Sequence, residues 1–239
     1  MRIALLGYGR MGKIIEKIAL ERGHEIVLKV DEHTQVFDLS KAELAIDFSV
    51  PAAAYKNVTR CFEQQVPVVC GTTGWLDRME EATAICQQQQ GAFIYASNFS
   101  LGVNVFFELN AYLARMMQPL SQYAVSMEEI HHTNKLDTPS GTAISLAEGI
   151  IEHSNKTGWS LEAGENPSNL PIVSKRLPEV PGTHTVEYTS TVDSLEIRHT
   201  AHNREGFALG AVIAAEWLVD KTGIFTMKDV LGLSKTSKL

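Results

Sequence analysis

The segment from Glu129 to Ala143 carries the side chains whose types and spacing are best suited to chemistry. Two adjacent imidazoles, His131 and His132, lie four and three residues before Lys135, so groups that exchange protons near neutral pH stand next to a fixed cation. The Pro-Ser-Gly-Thr run at 139–142 predicts the start of a helix. Free backbone N–H groups and the positive dipole end of a helix start both favour anions. We therefore expect a small, negatively charged substrate at this segment.

Composition excludes several other classes of partner. The 239 residues are long enough for one large or two modest domains, and 21 basic against 28 acidic side chains give a net charge of -7. A chain without a Lys/Arg-rich run is not expected to bind nucleic acid. We expect no membrane-spanning helix, because charges or glycines interrupt every apolar run. The three cysteines lack metal-type spacing and the first residues are too short an apolar run for a signal peptide, so we expect a cytoplasmic protein without a metal site.

The first residues carry a glycine pattern typical of dinucleotide-binding proteins. Residues 2–6 predict a strand, and Gly7, Gly9 and Gly12 follow as G-x-G-x-x-G at the opening of an amphipathic helix. Asp31 stands at the end of the next predicted strand, 19 positions after Gly12. The pattern is weak alone, but the strand, the helix and the acidic residue together predict a dinucleotide site in which Asp31 binds the adenosine ribose hydroxyls.

The same carboxylate favours NADH over NADPH. A 2′-phosphate would be repelled by Asp31 and by the adjacent Glu32. The nearest basic side chains, His33 and Lys29, lack the guanidinium fork that suits phosphate. NADH is therefore the predicted cofactor, and NADPH remains an alternative.

The order of predicted elements indicates an α/β protein with two domains. Strands alternate with helices up to residue 102, which predicts a Rossmann-like parallel sheet covered by helices. From residue 103 a helix and then several strands predict a smaller α+β domain with a mostly antiparallel or mixed sheet, and a loop is predicted between Asn155 and Leu170. Helical periodicity returns after Arg204. We predict a discontinuous dinucleotide-binding domain at 1–102 and 209–239, and a substrate-binding and oligomerisation domain at 103–208.

The segment H-H-x-x-K-x-D-x-P-S-G-T-A closely resembles the signature of the 4-hydroxy-tetrahydrodipicolinate reductase family. The resemblance covers most of the chain. It includes five further motifs: G-Y-G-R-M-G at 7–12, D-F-S at 47–49, G-T-T-G at 71–74, S-N-F-S-L-G-V-N at 97–104 and M-K-D-V-L at 227–231. Many relatives have G-x-G-G-R-M-G in the first of these, so this chain is one glycine shorter there.

The resemblance implies a reaction and roles for particular residues. It implies NAD(P)H-dependent reduction of (2S,4S)-4-hydroxy-2,3,4,5-tetrahydrodipicolinate to tetrahydrodipicolinate and water, in the diaminopimelate route to lysine, by a cytoplasmic homotetramer. It makes His131 a proton donor or acceptor and Lys135 a second proton donor, whereas His132, Gly141 and Thr142 would bind a carboxylate of the small dicarboxylate substrate. The residues implied to contact the cofactor are Gly7, Tyr8, Gly9, Arg10, Met11, Gly12, Asp31, Gly71, Thr72, Thr73, Ala96, Ser97, Asn98 and Phe99.

Two alternatives remain open at this point. Another NAD-dependent imino- or amino-acid dehydrogenase would share the cofactor domain, although the intact H-H-x-x-K and P-S-G-T runs weigh against it. A non-catalytic nicotinamide-sensing protein would be expected to lack His131 or Lys135. His184, His199 and His202 fit sheet or interface positions better than catalytic ones, and Glu129 either ends a strand or orients the ring of His131.

Overall fold

The computed structural model of the chain describes residues 1–34, 36–161 and 166–233. It divides into two compact units. Unit 1 consists of residues 1–101 together with the described residues from Glu205 on, and unit 2 is Gly102–Arg204. The sequence had placed the corresponding boundaries at 102 and 209.

Unit 1 is built on a parallel sheet whose strands are separated by helices. Within the described residues the sheet has six strands in the order β11-β5-β4-β3-β1-β2, and every neighbouring pair is parallel. The elements of unit 1 are β1 (Arg2–Leu6), α1 (Arg10–Glu21), β2 (Glu25–Val30), β3 (Leu44–Asp47), α2 (Pro51–Glu63), β4 (Val68–Cys70), α3 (Met79–Gln88), β5 (Ala92–Tyr95), α6 (Glu205–Leu218), β11 (Gly223–Phe225) and α7 (Met227–Val230).

Both faces of this sheet are buried, which explains why its strands are continuous apolar runs rather than alternating ones. Along β1, Ile3 and Leu5 pack in the cluster that contains α1 and α6, whereas Ala4 and Leu6 pack in the cluster that contains α2 and α3. The return of the chain in α6 therefore completes one helical layer of unit 1. The predicted Rossmann-like parallel sheet is confirmed.

Unit 2 contains a mixed sheet with β6 at its centre. The strand order is β10-β9-β6-β8-β7, where β6 pairs antiparallel with β9 and parallel with β8. Two helices cover the sheet and contribute Phe106, Leu113, Ala147 and Ile150 to its core. The elements of unit 2 are α4 (Leu101–Met117), β6 (Ala124–His131), α5 (Gly141–Ile151), β7 (Gly158–Ser160), β8 (Asn169–Arg176), β9 (Gly182–Thr189) and β10 (Ser194–Ala201).

Local predictions had different outcomes. Thr226 and Asp229 form a capping box at the start of α7, where the Asp229 carboxylate accepts the Thr226 N–H at 2.8 Å. The predicted loop between Asn155 and Leu170 is wrong at Gly158–Ser160, which pairs with β8 as a short edge strand, and its residues 162–165 lie outside the described part. β11 has no counterpart among the predictions because three residues carry too little periodicity. Among the described helices, none is long and apolar enough to cross a bilayer.

Candidate active site

The three glycines of the first loop occupy different surroundings. Gly7 has φ +101°, and a Cβ there would lie 2.3 Å from the Phe48 carbonyl oxygen. At Gly12 a Cβ would lie 2.4 Å from the carbonyl oxygen of Gly7. Gly9, in contrast, has no described atom within 4 Å of its added Cβ. The first glycine thus permits the turn, the third permits close packing of α1, and the second leaves backbone open to a ligand such as a pyrophosphate.

This loop opens onto a cavity of about 820 Å³ at the carboxyl ends of β1, β2 and β3. Asp31, directly after β2, lines the cavity and is exposed. Its carboxylate accepts hydrogen bonds from Thr34 Oγ1 at 2.8 Å and the His33 N–H at 3.1 Å. These two bonds, the Thr34 bond foremost, lower the pKa of Asp31. An ionised carboxylate in this place is suited to accept hydroxyl protons of a ribose.

The predicted cofactor residues do not all reach this cavity. Gly7, Tyr8, Gly9, Arg10, Met11 and Asp31 are among its lining residues. Gly12 is buried in α1 and is not part of the lining. The lining also lacks the predicted contacts that follow β4 and β5, namely Gly71, Thr72, Thr73, Ala96, Ser97, Asn98 and Phe99. Thr72 and Phe99 are buried. Gly71 packs against the Phe48 ring, since a Cβ there would lie 2.3 Å from ring carbon Cζ.

Asp47, the last residue of β3, is fully buried and connects the segments that follow β3 and β4. It accepts hydrogen bonds from Thr72 Oγ1, from Asn57 Nδ2 at 2.8 Å and from Ser49 Oγ at 3.0 Å. Burial raises the pKa of Asp47, and the three donors act in the opposite direction. Asp47 therefore holds the chain segments after β3 and β4 together at the carboxyl edge of the sheet.

In unit 2, the alternation of β6 places two polar side chains on its buried face. Val125, Met127, Glu129 and His131 are all buried, as expected for every second residue of a strand that packs on helices. Glu129 is 0% exposed and His131 is 6% exposed. The strand therefore carries an acid and an imidazole on the same face, at the end where β6 leaves the sheet.

Glu129 is surrounded by hydrogen-bond donors from two other segments. The Ser140 N–H donates to both of its oxygens, at 3.2 and 3.0 Å. From β8, Ser174 Oγ donates at 2.9 Å and Arg176 lies at 3.3 Å. Burial alone would raise the pKa of Glu129, but the hydrogen bonds from Ser140 and Ser174 outweigh it and lower the pKa. Glu129 is therefore a buried carboxylate held in its ionised form.

Two imidazoles lie against this carboxylate. His131 Nδ1 is 3.4 Å from Glu129 Oε2, and His184, directly opposite Glu129 on β9, places Nε2 3.8 Å away. The two rings are 5.0 Å apart between centroids. Burial lowers the pKa of His131, although the charge of Glu129 acts in the opposite direction. Burial also lowers the pKa of His184, to about 3. Both rings are therefore neutral near pH 7.

Lys135 lies in the segment that connects β6 to α5. Its ammonium pairs with the Asp137 carboxylate at 2.8 Å, and its charge contributes to the lowered pKa of His131. Arg176 holds the same segment by donating to the Asp137 carbonyl and to Thr138 Oγ1, both at 2.8 Å. The charge of Lys135 thus acts on His131, and Arg176 binds the connection near its α5 end.

The predicted helix start is confirmed at α5, an eleven-residue helix. Ser140 is the N-cap, and its Oγ accepts the Ala143 N–H at 3.2 Å. Gly141 is exposed, with no described atom within 4 Å of an added Cβ, and Thr142 is half-buried. Next to the connection, His132 is half-buried. A helix start that follows two imidazoles and a lysine in the chain is suited to a carboxylate.

Comparison with known proteins decides the family. Residues 1–99 match the family model described as dihydrodipicolinate reductase, N-terminus, and residues 102–231 match the one described as dihydrodipicolinate reductase, C-terminus. The chain belongs to the dihydrodipicolinate reductase family. It is 61% identical over 234 residues to a 4-hydroxy-tetrahydrodipicolinate reductase of Christiangramia forsetii, a match that covers 97% of this chain and 98% of that protein. A protein of the same name from Archaeoglobus fulgidus is 36% identical, with 97% of this chain and 100% of that protein covered.

The fold agrees with this family. A solved dipicolinate-bound dihydrodipicolinate reductase from a Paenisporosarcina species superimposes with a TM-score of 0.77 at 22% identity, over 95% of this chain and 97% of that one. The dihydrodipicolinate reductase family is thereby supported by sequence and by architecture. The nicotinamide dinucleotide-binding fold of unit 1 follows from the same matches.

Several residues of this candidate site were missed in the sequence. Lys56, Asn57 and Arg60 of α2 line the cavity beside Asp31, although no basic fork had been expected there. His184 had been assigned to a sheet position, which is correct, but the register of β6 and β9 places it against Glu129. Arg176 had no assigned role. Only the i, i+2 spacing of Glu129 and His131 was visible in advance, as two residues on one face of a strand.

Proposed function

We propose that the chain catalyses NAD(P)H-dependent reduction of (2S,4S)-4-hydroxy-2,3,4,5-tetrahydrodipicolinate to tetrahydrodipicolinate and water, the reductase step of the diaminopimelate route to lysine. The observation that carries this proposal is the set of His131, Lys135 and the α5 start around one end of β6, in a chain of the dihydrodipicolinate reductase family. The alternatives, another imino- or amino-acid dehydrogenase or a non-catalytic sensor, have no observation in their favour.

In unit 2, different residues would bind a small dicarboxylate and transfer protons to or from it. The helix start at Gly141 and Thr142, with His132, would bind one carboxylate, because a helix start attracts an anion without itself titrating. When bound, the nicotinamide supplies a hydride. His131 and Lys135 would supply or accept the accompanying protons, a contribution of about 10²–10⁴-fold in rate for a well-placed general acid or base. Lys135 would exchange part of its pairing with Asp137 for the substrate.

The residues of unit 1 fit a nicotinamide dinucleotide. Open backbone at Gly9, the turn at Gly7 and the ionised Asp31 would hold its pyrophosphate and adenosine ribose. Gly71–Thr73 and Ala96–Phe99 would contribute to the nicotinamide half, since they follow the neighbouring strands β4 and β5. We further propose a cytoplasmic homotetramer, on the family resemblance alone.

The first experiment measures oxidation of NADH and of NADPH with substrate generated in situ from pyruvate and aspartate semialdehyde by a synthase. We expect rapid oxidation, and in Lys135→Ala we expect kcat to fall by about 10²–10⁴-fold while dinucleotide binding persists. Lys175→Ala is the matched control, because that lysine pairs with Glu128 on the same sheet. Unchanged turnover in Lys135→Ala would remove its assigned role, and dinucleotide binding without turnover in the wild type would favour the sensor.

The same assay tests our proposal that NADH is the preferred cofactor. Asp31 repels a 2′-phosphate, whereas Lys56 and Arg60 on the cavity wall offset part of that repulsion. We expect the ratio of kcat/KM for NADH over NADPH to exceed one, and to fall by roughly tenfold in Asp31→Asn, which is a loss of about 1.4 kcal/mol of discrimination. Asp38→Asn, a neighbouring carboxylate outside the cavity lining, should leave the ratio in place. If the ratio of kcat/KM for NADH over NADPH were unchanged in Asp31→Asn, the proposal would be contradicted.

A further inference from the structure

The buried pair of Glu129 and His131 has a feature that its hydrogen bonds leave unexplained. Glu129 Oε1 accepts Ser174 and Arg176, and both oxygens share the Ser140 N–H. Oε2 has no further donor among these, yet it faces His131 Nδ1 at 3.4 Å. That Nδ1 is buried and has no hydrogen-bond partner within the described residues. Buried polar nitrogens without a partner are rare in folded proteins, and a small rotation of the ring would complete this bond.

We propose that Glu129 is a positioning residue for His131, holding the ring through Nδ1 so that Nε2 is the nitrogen that gives or takes the transferred proton. This inference rests on the proposed role of His131 in the reaction. The carboxylate would fix both the tautomer and the orientation of the ring, as an acceptor behind a catalytic imidazole does in general. Gly182, opposite on β9, leaves room for the ring, since a Cβ there would lie 3.1 Å from Nε2.

The charges around His131 are consistent with this arrangement. The groups that act on it are Glu129, Lys135, Asp137, Arg176 and the neutral His184. Glu129 favours the protonated ring, and burial together with the two cations disfavours it. Because burial keeps the pKa of His184 near 3, that ring does not compete as a cation for the carboxylate. Glu129 thus opposes the lowering of the His131 pKa by burial.

The same three residues, Glu129, His131 and His184, are grouped closely enough to ligate a metal ion. The surroundings oppose that reading. Arg176 lies 3.3 Å from the carboxylate, and the charge of Lys135 also reaches His131. A divalent cation would enter a site already balanced by a guanidinium, which costs Coulomb energy in a buried environment. A hydrogen bond between His131 Nδ1 and Glu129 Oε2 brings no additional cation into the site.

The test uses Glu129→Gln, with Glu128→Gln as the matched control, since Glu128 is the preceding residue on the opposite face of β6. Imidazole nitrogen and carbon NMR of the purified enzyme, with His131 assigned through His131→Gln, reports tautomer and titration. We expect the neutral ring to carry its proton on Nδ1 in the wild type, and a lower pKa with a mixed tautomer in Glu129→Gln. We also expect kcat to fall by about 10²-fold with KM changed little. Glu128→Gln should match the wild type in every respect.

Each other outcome has a distinct meaning. A purely structural role, anchoring the α5 start through the Ser140 N–H, would raise KM and leave the titration of His131 unchanged, which would overturn the proposal. Stoichiometric zinc in the wild type that is lost in Glu129→Gln would overturn it as well. A shifted titration with unchanged kcat would support the contact with His131 but remove that residue from the proposed reaction.

A gentler variant covers the case in which Glu129→Gln does not fold. Ser174→Ala removes one donor from Glu129 Oε1 and leaves the carboxylate in place. The hydrogen bond from Ser174 lowers the pKa of Glu129, so its loss should make the carboxylate more basic and raise the pKa of His131. An unchanged His131 titration in folded Ser174→Ala would overturn the proposal.

Discussion

Asp47 in unit 1 and Glu129 in unit 2 are both fully buried carboxylates near the carboxyl end of a strand, yet their surroundings differ in kind. Asp47 accepts hydrogen bonds from neutral side chains, and its pKa is raised by burial. Glu129 has a guanidinium and two imidazoles beside it, and its pKa is lowered by hydrogen bonds that outweigh burial. Burial alone therefore does not decide what a carboxylate does.

The difference separates a structural role from an electrostatic one. Asp47 joins Ser49, Asn57 and Thr72 and so determines the shape of two loops, a task in which its charge is a cost. The charge of Glu129, in contrast, acts on His131. Strongly perturbed groups gather at functional sites, but structural networks perturb pKa values too, and the neighbours distinguish the two cases.

Removal of Asp47 is expected to have the largest effect, on the stability of unit 1. In Asp47→Ala the buried donors of Thr72 and Asn57 lose an acceptor, so we expect the free energy of unfolding to fall by about 2–4 kcal/mol. Denaturant unfolding measures the total, and hydrogen exchange of β3 and β4 against β6 and β9 should locate the loss in unit 1. The His131 titration should not move in this variant. An unchanged free energy of unfolding in Asp47→Ala, or a changed His131 titration, would contradict the structural role of Asp47.

A smaller effect, of opposite sign at the two carboxylates, is expected in the pH dependence of stability. Glu129 has a lowered folded pKa, so its contribution is present above its ordinary value of 4.5 and is lost as pH falls below it. Asp47 has a raised folded pKa, so its contribution is present below 3.8 and is lost as pH rises through the folded value. On acidification, the stability of wild type relative to Glu129→Gln should fall, and that relative to Asp47→Asn should rise.

Denaturant unfolding of the three proteins, repeated at several pH values between about 3 and 7, measures how these stability differences change with pH. Each variant removes one titrating group, so the other serves as its control. If both stability differences changed with pH in the same direction, the two carboxylates would have equivalent environments, which would contradict their opposite pKa shifts.

Much of the fold could be predicted from local patterns. The glycines of the first loop, the helix behind them and Asp31 are close in sequence, and their spacing depends on one strand-turn-helix unit. The start of α5 at Gly141 was likewise visible, because capping depends on a few consecutive residues. The edge strand Gly158–Ser160 was not, since three residues pair only because β8 lies beside them.

The candidate site was predictable to the extent that it lies in one segment. His131, His132, Lys135 and the α5 start are within a dozen positions of one another, so their types and spacing indicate proton transfer and anion binding. Lys56 and Arg60 belong to a helix whose approach to Asp31 depends on the packing of α2 on the sheet. That packing has no signature in the spacing of basic residues along the chain.

The class of fold, the dinucleotide loop and the cluster of His131, His132 and Lys135 could be recognised in the sequence, because each depends on neighbours along the chain. The groups that surround Glu129 could not, because they come from distant segments. Ser174 and His184 are 45 and 55 positions away from it, and the register of β6 with β8 and β9 places them beside it. Ser140, 11 positions away, reaches it from the N-cap of α5. A shift of that register by one residue would turn the side chains of a strand to the opposite face.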